Sequence, residues 1–197
     1  MKIWGAVLLA VCCWGIAFGV AWGNFWIKIG VSVALICAYS FYWQKPKIAP
    51  SLVSVLIGLA SAAVLYGIFY LGYVLSPYIV PGAAGQVGGI YGMGADTNPL
   101  LIFLLLMFIT GPGEEIFWRG FLQENLMAKY GKAAGWLLAT FIYGSIHIFS
   151  LNFMLTMAAY VAGAFWGAQY LWRRDLTALI VSHSVWSAVI FAVFPVH

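Results

Sequence analysis

Charge is what this chain has least of: only 7% of its 197 residues are Asp, Glu, Lys or Arg. A soluble domain carries about 25%, so a water-facing globule is excluded. With 64% apolar and 18% aromatic residues, the composition is that of an integral membrane protein. Cysteine is scarce too. Cys12, Cys13 and Cys37 are odd in number, lie in apolar runs and form no Cys-x-x-Cys. That argues against a disulfide framework or a cysteine-only metal site and reads as small buried apolar residues. No His-Glu-x-x-His string occurs, so a zinc protease of that kind is absent. The only aspartates, Asp96 and Asp175, fall on opposite sides of the expected membrane, which removes an aspartyl dyad. The net charge of +4 comes from Lys and Arg near span ends. It reports topology and not nucleic-acid binding.

What is present is a succession of apolar runs, which predicts an all-α polytopic bundle of about seven transmembrane helices. The spans are expected at 3–22, 25–43, 51–75, 99–127, 133–149, 152–172 and 176–194. Leu9-Ala10-Val11-Cys12 has the outline of a lipoprotein cleavage box, but Val11 stands where a small residue is needed, so 3–22 reads as a retained helix. Gly15, Gly19 and Gly23 recur every four residues and predict a face that another helix approaches closely. Residues 76–98 hold six glycines, Pro77 and Pro81, and no Lys or Arg. No Gly-Lys-Ser/Thr follows, so this is no nucleotide loop; it reads as a surface loop, partly re-entrant at most. There is no repeat, linker or second domain: residues 1–197 form one transmembrane unit. Lys2, Lys45, Lys47, Lys129, Lys132, Arg173 and Arg174 mark the start and every second connection, against Lys28 alone on the other side. The positive-inside rule then puts the amino terminus inside and the carboxy terminus outside.

One stretch breaks the apolar pattern. Gly111-Pro112-Gly113-Glu114-Glu115-Ile116-Phe117-Trp118-Arg119-Gly120 places two carboxylates and a guanidinium inside the fourth span. A charge near the bilayer centre costs at least a few kcal/mol and marks a functional site. On a helix Glu115 and Arg119 are i, i+4 neighbours and can pair. Glu114 lies about 100° away, beside Phe117 and Trp118, and is the less neutralised carboxylate, suited to general acid/base work. Two histidines lie in later spans, each with a hydroxyl one turn away: Tyr143 with His147, and His183 with Ser187. Ser145 and Ser184 stand near them in sequence. Yet Tyr143-Gly144-Ser145-Ile146 lacks the Gly-x-Ser-Gly turn of rhomboid-type proteases, and a serine–histidine dyad would leave the Glu pair idle.

Glu114-Glu115-x-x-x-Arg119, a histidine near the end of the next span and a second histidine two spans later resemble the CPBP family. These are the CAAX-protease and bacteriocin-processing intramembrane endopeptidases, also called the Abi family. The resemblance covers 99–191. It implies that Glu114 is the general base on a water that His147 helps to hold. His183 with Ser187 would stabilise the oxyanion, and Arg119 would fix Glu115 and the helix. Two positions depart from the family pattern: Tyr143 replaces a usual Phe, and Ser187 stands where Asn or another polar residue is usual. The implied function is hydrolysis of a peptide bond in a membrane-anchored or lipid-modified peptide or protein within the bilayer. No cofactor is expected; zinc, if it were bound, would use Glu114, His147 and His183.

Two other readings compete: a non-catalytic scaffold or peptide-binding protein, and a proton-coupled transporter using the same groups as a relay. Geometry separates them. A peptidase needs Glu114, His147 and His183 to converge on one cavity, whereas a relay spreads them along the membrane normal. A straight-helix estimate sets the three at depths differing by about 10 Å. Helix tilt, or a break at Gly111-Pro112-Gly113, must close that gap.

Overall fold

Short polar residues at the edges of the apolar runs start the helices. In the computed structural model, which describes residues 2–196, the Asn24 side chain accepts from the backbone N–H of Trp26 and Ile27 and opens α2, Phe25–Trp43. Ser51 does the same for α3, Leu52–Ile79. Asn98, Asn152 and Asp175 cap the helices that begin at Pro99, Phe153 and Leu176. Each cap satisfies an amide that would otherwise be stranded at a helix end. The remaining helices are α1, Lys2–Gly19, α4, Ala83–Gly92, α5, Pro99–Tyr130, α6, Lys132–Ser150 (its last turn, His147–Ser150, tightened to 3-10), and α7, Phe153–Trp172. The last span, α8, runs over Leu176–Val193. No strand occurs among the described residues.

Six of these helices are long and apolar enough to cross a membrane: α1, α2, α3, α5, α6 and α8. The all-α membrane bundle is as expected, and the count of about seven is approximate. The expected span 152–172 is a helix, α7, but Thr156, Tyr160, Gln169 and Tyr170 dilute its apolar character, and it is not among the six.

The interval 76–98 departs furthest from its reading as a loop. α3 continues through Pro77. Proline has no N–H to give the Tyr73 carbonyl one turn back, and the Ser76 hydroxyl donates to that carbonyl instead, at 3.0 Å. After a turn at Gly82, α4 forms and is tied to its neighbours. Asn152 Nδ2 donates to the Gln86 carbonyl (2.8 Å), and Trp26 Nε1 donates to the Met93 carbonyl (3.1 Å). The glycine spacing of the first span also has another meaning. Gly15 meets only the Phe149 ring, at ordinary contact, Gly19 faces open space, and Gly23 lies beyond the helix in a left-handed turn.

α5 and α8 occupy the centre. Half of the apolar window of α5 and 61% of that of α8 are buried, against 22% for α3. α5 has no break at Gly111-Pro112-Gly113. It widens instead into π-helical turns at Leu106–Thr110 and Ile116–Gln123, on either side of the Glu-bearing turn. The first of these ends just before Pro112, where a regular α turn would press the ring against the Phe108 carbonyl. Without a hydrophobic force between helices in lipid, close approach depends on small residues. At Gly111 an added Cβ would lie 2.7 Å from Ser184 Cα and 2.5 Å from its Oγ. This contact seats the Glu-bearing turn against the α8 segment that carries His183.

Gly111→Ala should therefore destabilise the folded protein by about 1–3 kcal/mol through overpacking, read as a lowered melting temperature in detergent. An unchanged melting temperature would contradict this seating of α5 on α8.

Candidate active site

Three ionisable groups meet at one carboxylate oxygen. Arg119 Nη1 donates to Glu115 Oε1 at 2.6 Å across one turn of α5, as the spacing predicts. His183 Nδ1 on α8 lies 2.6 Å from the same oxygen. Glu115 is fully buried and Arg119 nearly so, while Glu115 Oε2 has no hydrogen-bond partner among the described residues. Arg119 Nη2 donates onward to the Gly163 carbonyl of α7 (3.3 Å), and one turn later Gln123 Nε2 donates to the Gly167 carbonyl (2.9 Å). Glycines at 163 and 167 let α6 side chains pack closely on the same face of α7: a Cβ at 163 would strike Tyr143, and one at 167 would strike Trp136.

The Glu115–His183 contact is the one sequence spacing could not reveal, because 68 residues separate the partners. It orients the imidazole. Nδ1 faces the carboxylate, and the ring is stacked flat on Trp166, with centroids 3.9 Å apart and planes 19° apart. Trp166 is itself fixed by a hydrogen bond from its Nε1 to Ser182 Oγ (3.0 Å). Nε2 of His183 forms no hydrogen bond among the described residues, and the side chain lines a cavity of about 390 Å³.

Glu114, Tyr143, His147 and Ser187 line the same cavity. Glu114 is held by one oxygen: the Tyr143 hydroxyl donates to its Oε2 at 3.1 Å, while Oε1 forms no hydrogen bond among the described residues. The hydroxyl that distinguishes Tyr143 from the usual Phe thus fixes the carboxylate singled out as free. Ser187 turns its hydroxyl inward and donates to the His183 carbonyl. Its only hydrogen is therefore committed to α8 itself and not to the cavity.

His147 has both ring nitrogens engaged. Nδ1 lies 2.8 Å from the Tyr143 carbonyl, which can only accept, so Nδ1 carries the proton. Nε2 is then the lone pair, and the Trp14 indole N–H donates to it at 3.2 Å. Two independent contacts agree on one tautomer. Although Glu114, His147 and His183 share a cavity, no three His, Cys, Asp or Glu side chains among the described residues stand close enough to hold one metal ion. A zinc set built on His147 would need a lone pair that Trp14 occupies, so these side chains do not fit one as they stand.

Residues 96–189, just under half of the chain, match the family model of the type II CAAX prenyl endopeptidase Rce1-like proteins. The resemblance to the CPBP and CAAX-protease family is shown over that segment, which contains every one of the expected site residues. The match supports an intramembrane endopeptidase of the CAAX kind. Comparison with curated proteins and with solved structures finds no match.

Trp14 lies outside the matched segment, and nothing in the sequence of the first span marks it among ten tryptophans. It is 1% exposed and packs edge-on against both Trp118 and His147, at 5.9 Å each. Removing its N–H strands a buried acceptor. Trp14→Phe should cost about 1–3 kcal/mol and shift the ¹⁵N resonance of His147 Nε2 in histidine-labelled protein. An unmoved resonance would contradict the hydrogen bond.

Proposed function

We propose that this chain, related to the CAAX endopeptidases through residues 96–189, hydrolyses a peptide bond of a membrane-anchored or lipid-modified substrate with a water activated by Glu114. The observation that carries the reading is the division of labour between adjacent carboxylates. Glu115 is buried and committed through Oε1 to Arg119 and His183, whereas Glu114 keeps Oε1 free in the cavity that His183 also lines. Convergence on one cavity favours a peptidase over a relay strung across the membrane.

In this mechanism Glu114 Oε1 takes a proton as the water oxygen bonds to the scissile carbonyl carbon. The negative charge developing on the carbonyl oxygen needs a donor across the cavity. His183 is suited to this, because Glu115 is its counter-ion at Nδ1 and lets Nε2 carry a proton as well. One such donor is typically worth about 3–4 kcal/mol in the transition state. When the C–N bond breaks, Glu114 returns its proton to the departing amine.

The other groups have supporting parts. Tyr143 orients Glu114, and Trp166 fixes the plane of His183. Ser187 acts through the backbone of α8, which leaves the oxyanion to His183. His147 holds the wall beside Glu114, and the water-holding role implied by resemblance requires that Trp14 yield its lone pair when substrate enters. We assign no metal to the reaction, since His147 has no free donor atom. With α7 counted as a seventh crossing beside the six more apolar spans, the positive-inside pattern of Lys and Arg would place the amino terminus inside and the carboxy terminus outside in this reading.

Glu114→Gln should fold normally and lose about 10²–10⁴-fold in turnover, assayed by proteomic comparison of membrane-protein processing with the wild type and then on an identified substrate. Glu115→Gln should instead lower folded yield, because breaking a buried pair costs about 3–5 kcal/mol. Wild-type turnover for Glu114→Gln would transfer the cluster to the scaffold reading. Activity of the purified enzyme should survive a membrane-permeant chelator; loss with chelation and recovery with Zn²⁺ would return His147 and His183 to ligand roles.

A further inference from the structure

A water poised for attack has two hydrogens and two lone pairs to place. One hydrogen goes to the base, here Oε1 of Glu114, and one lone pair must stay free to bond the carbonyl carbon. The second hydrogen needs an acceptor of its own. Resemblance gives that part to His147, but His147 Nδ1 carries its proton toward the Tyr143 carbonyl, and its one lone pair, at Nε2, accepts from the Trp14 indole. Trp14 and His147 are 1% and 9% exposed, so an exchange of partners would strand a buried N–H.

Another acceptor stands beside the base. Tyr143 lines the cavity, and its hydroxyl hydrogen is spent on Glu114 Oε2, at 3.1 Å. Its oxygen accepts no hydrogen bond among the described residues, so its lone pairs are uncommitted. Thr110 and Ser187 also line the cavity, but their hydroxyls bond to carbonyls of their own helices and not to Glu114. The ring that carries the Tyr143 hydroxyl is held on every side. Trp118 and His147 stand edge-on to it, with centroids 5.1 Å and 5.0 Å away, and the Arg119 guanidinium lies 5.0 Å from its centroid. At Gly163 an added Cβ would come within 2.9 Å of its Cδ1.

Resting on the peptidase reading, we infer that Tyr143 is a further catalytic residue: its phenolic oxygen accepts the second hydrogen of the attacking water, the part that resemblance gives to His147. The water passes one proton to Glu114 Oε1 as its oxygen bonds to the carbonyl carbon. Its other hydrogen stays on that oxygen, held by Tyr143 Oη, and Glu114 later gives its proton to the departing amine. Tyr143 keeps its own proton throughout. The hydroxyl that departs from the family pattern and the indole that closes His147 thus belong to one arrangement, and Trp14 need not move for the reaction to proceed.

The test uses the full-length protein in lipid vesicles and a quenched-fluorescence peptide carrying an S-prenyl cysteine. Tyr143→Phe keeps the ring contacts and should lower kcat at least about ten-fold with KM unchanged, the loss of one hydrogen bond in the transition state. His147→Gln, whose amide can still accept from Trp14, should lose at least about three-fold less. Adding Trp14→Phe to Tyr143→Phe returns a free lone pair on His147 Nε2 to the cavity and should recover at least about three-fold in kcat. A larger loss for His147→Gln than for Tyr143→Phe would overturn the inference. No recovery in the double variant would also overturn it, by limiting Tyr143 to steering the carboxylate. The ¹⁵N resonance of His147 Nε2 gives a reading that needs no variant. With a reduced-amide analogue of the peptide bound to the wild type, it should keep its position; a shift would mean that His147 leaves Trp14 to take the water, and would overturn the inference. Failure of the wild type itself to hydrolyse the peptide would defeat the peptidase reading, and this inference with it.

Discussion

The burial of Glu115 is the constraint on which this structure depends. A carboxylate with no exposed surface, in a protein surrounded by hydrocarbon, must be paired, and the effective penalty for each unpaired ion is several kcal/mol. Pairing here is not local. Arg119 comes from the same helix, but His183 comes from α8, and Arg119 reaches on to a carbonyl of α7. One carboxylate oxygen therefore links three helices, and the close seating of Gly111 on Ser184 follows from the need to bring α8 to it. The same contact that stabilises the charge also aims the imidazole.

Once Glu115 is taken, its neighbour is left with a different environment. Glu114 has a single neutral donor, Tyr143, and one oxygen turned to a cavity. Adjacent residues of one type thus diverge because they face different sides of α5. The aromatic rings complete the arrangement. Trp166 lies flat on His183, and Trp118 stands edge-on to Tyr143 with centroids 5.1 Å apart. Trp14 binds His147 from a helix outside the family match. Rigid rings with few rotamers suit a site whose polar groups must stay aligned without water to reposition them.

Much of this was legible in the sequence, for identifiable reasons. Charge is so rare in the chain that Glu114, Glu115, Arg119, His147 and His183 stood out, and the i, i+4 spacing of Glu115 and Arg119 gave their pairing directly. The helices were visible as apolar runs bounded by Asn24, Ser51, Asn98, Asn152 and Asp175, which the structure uses as caps. What the sequence hid was long-range or compensated. The contact of His183 with Glu115 depends on how α8 crosses α5. Pro77 reads as a helix end until Ser76 is seen to satisfy the carbonyl it leaves. The π turns around Gly111 and Pro112 have no period that separates them from an α-helix or a break. Trp14 was one aromatic among many, and only the tertiary packing of α1 gives it a partner.

The central claim is that Glu115 and Arg119 form one electrostatic unit that holds the site together, and a double-mutant cycle measures it most directly. Glu115→Gln, Arg119→Met and the double variant would be compared with wild type by thermal melting in the same detergent. The account predicts that each single change leaves a buried charge unmatched, and that the double variant, with neither charge, recovers a large part of the stability lost by Glu115→Gln alone. The coupling energy should be about 1–3 kcal/mol. Losses that simply add would mean that the two residues act independently, and the account built on their pairing would fail.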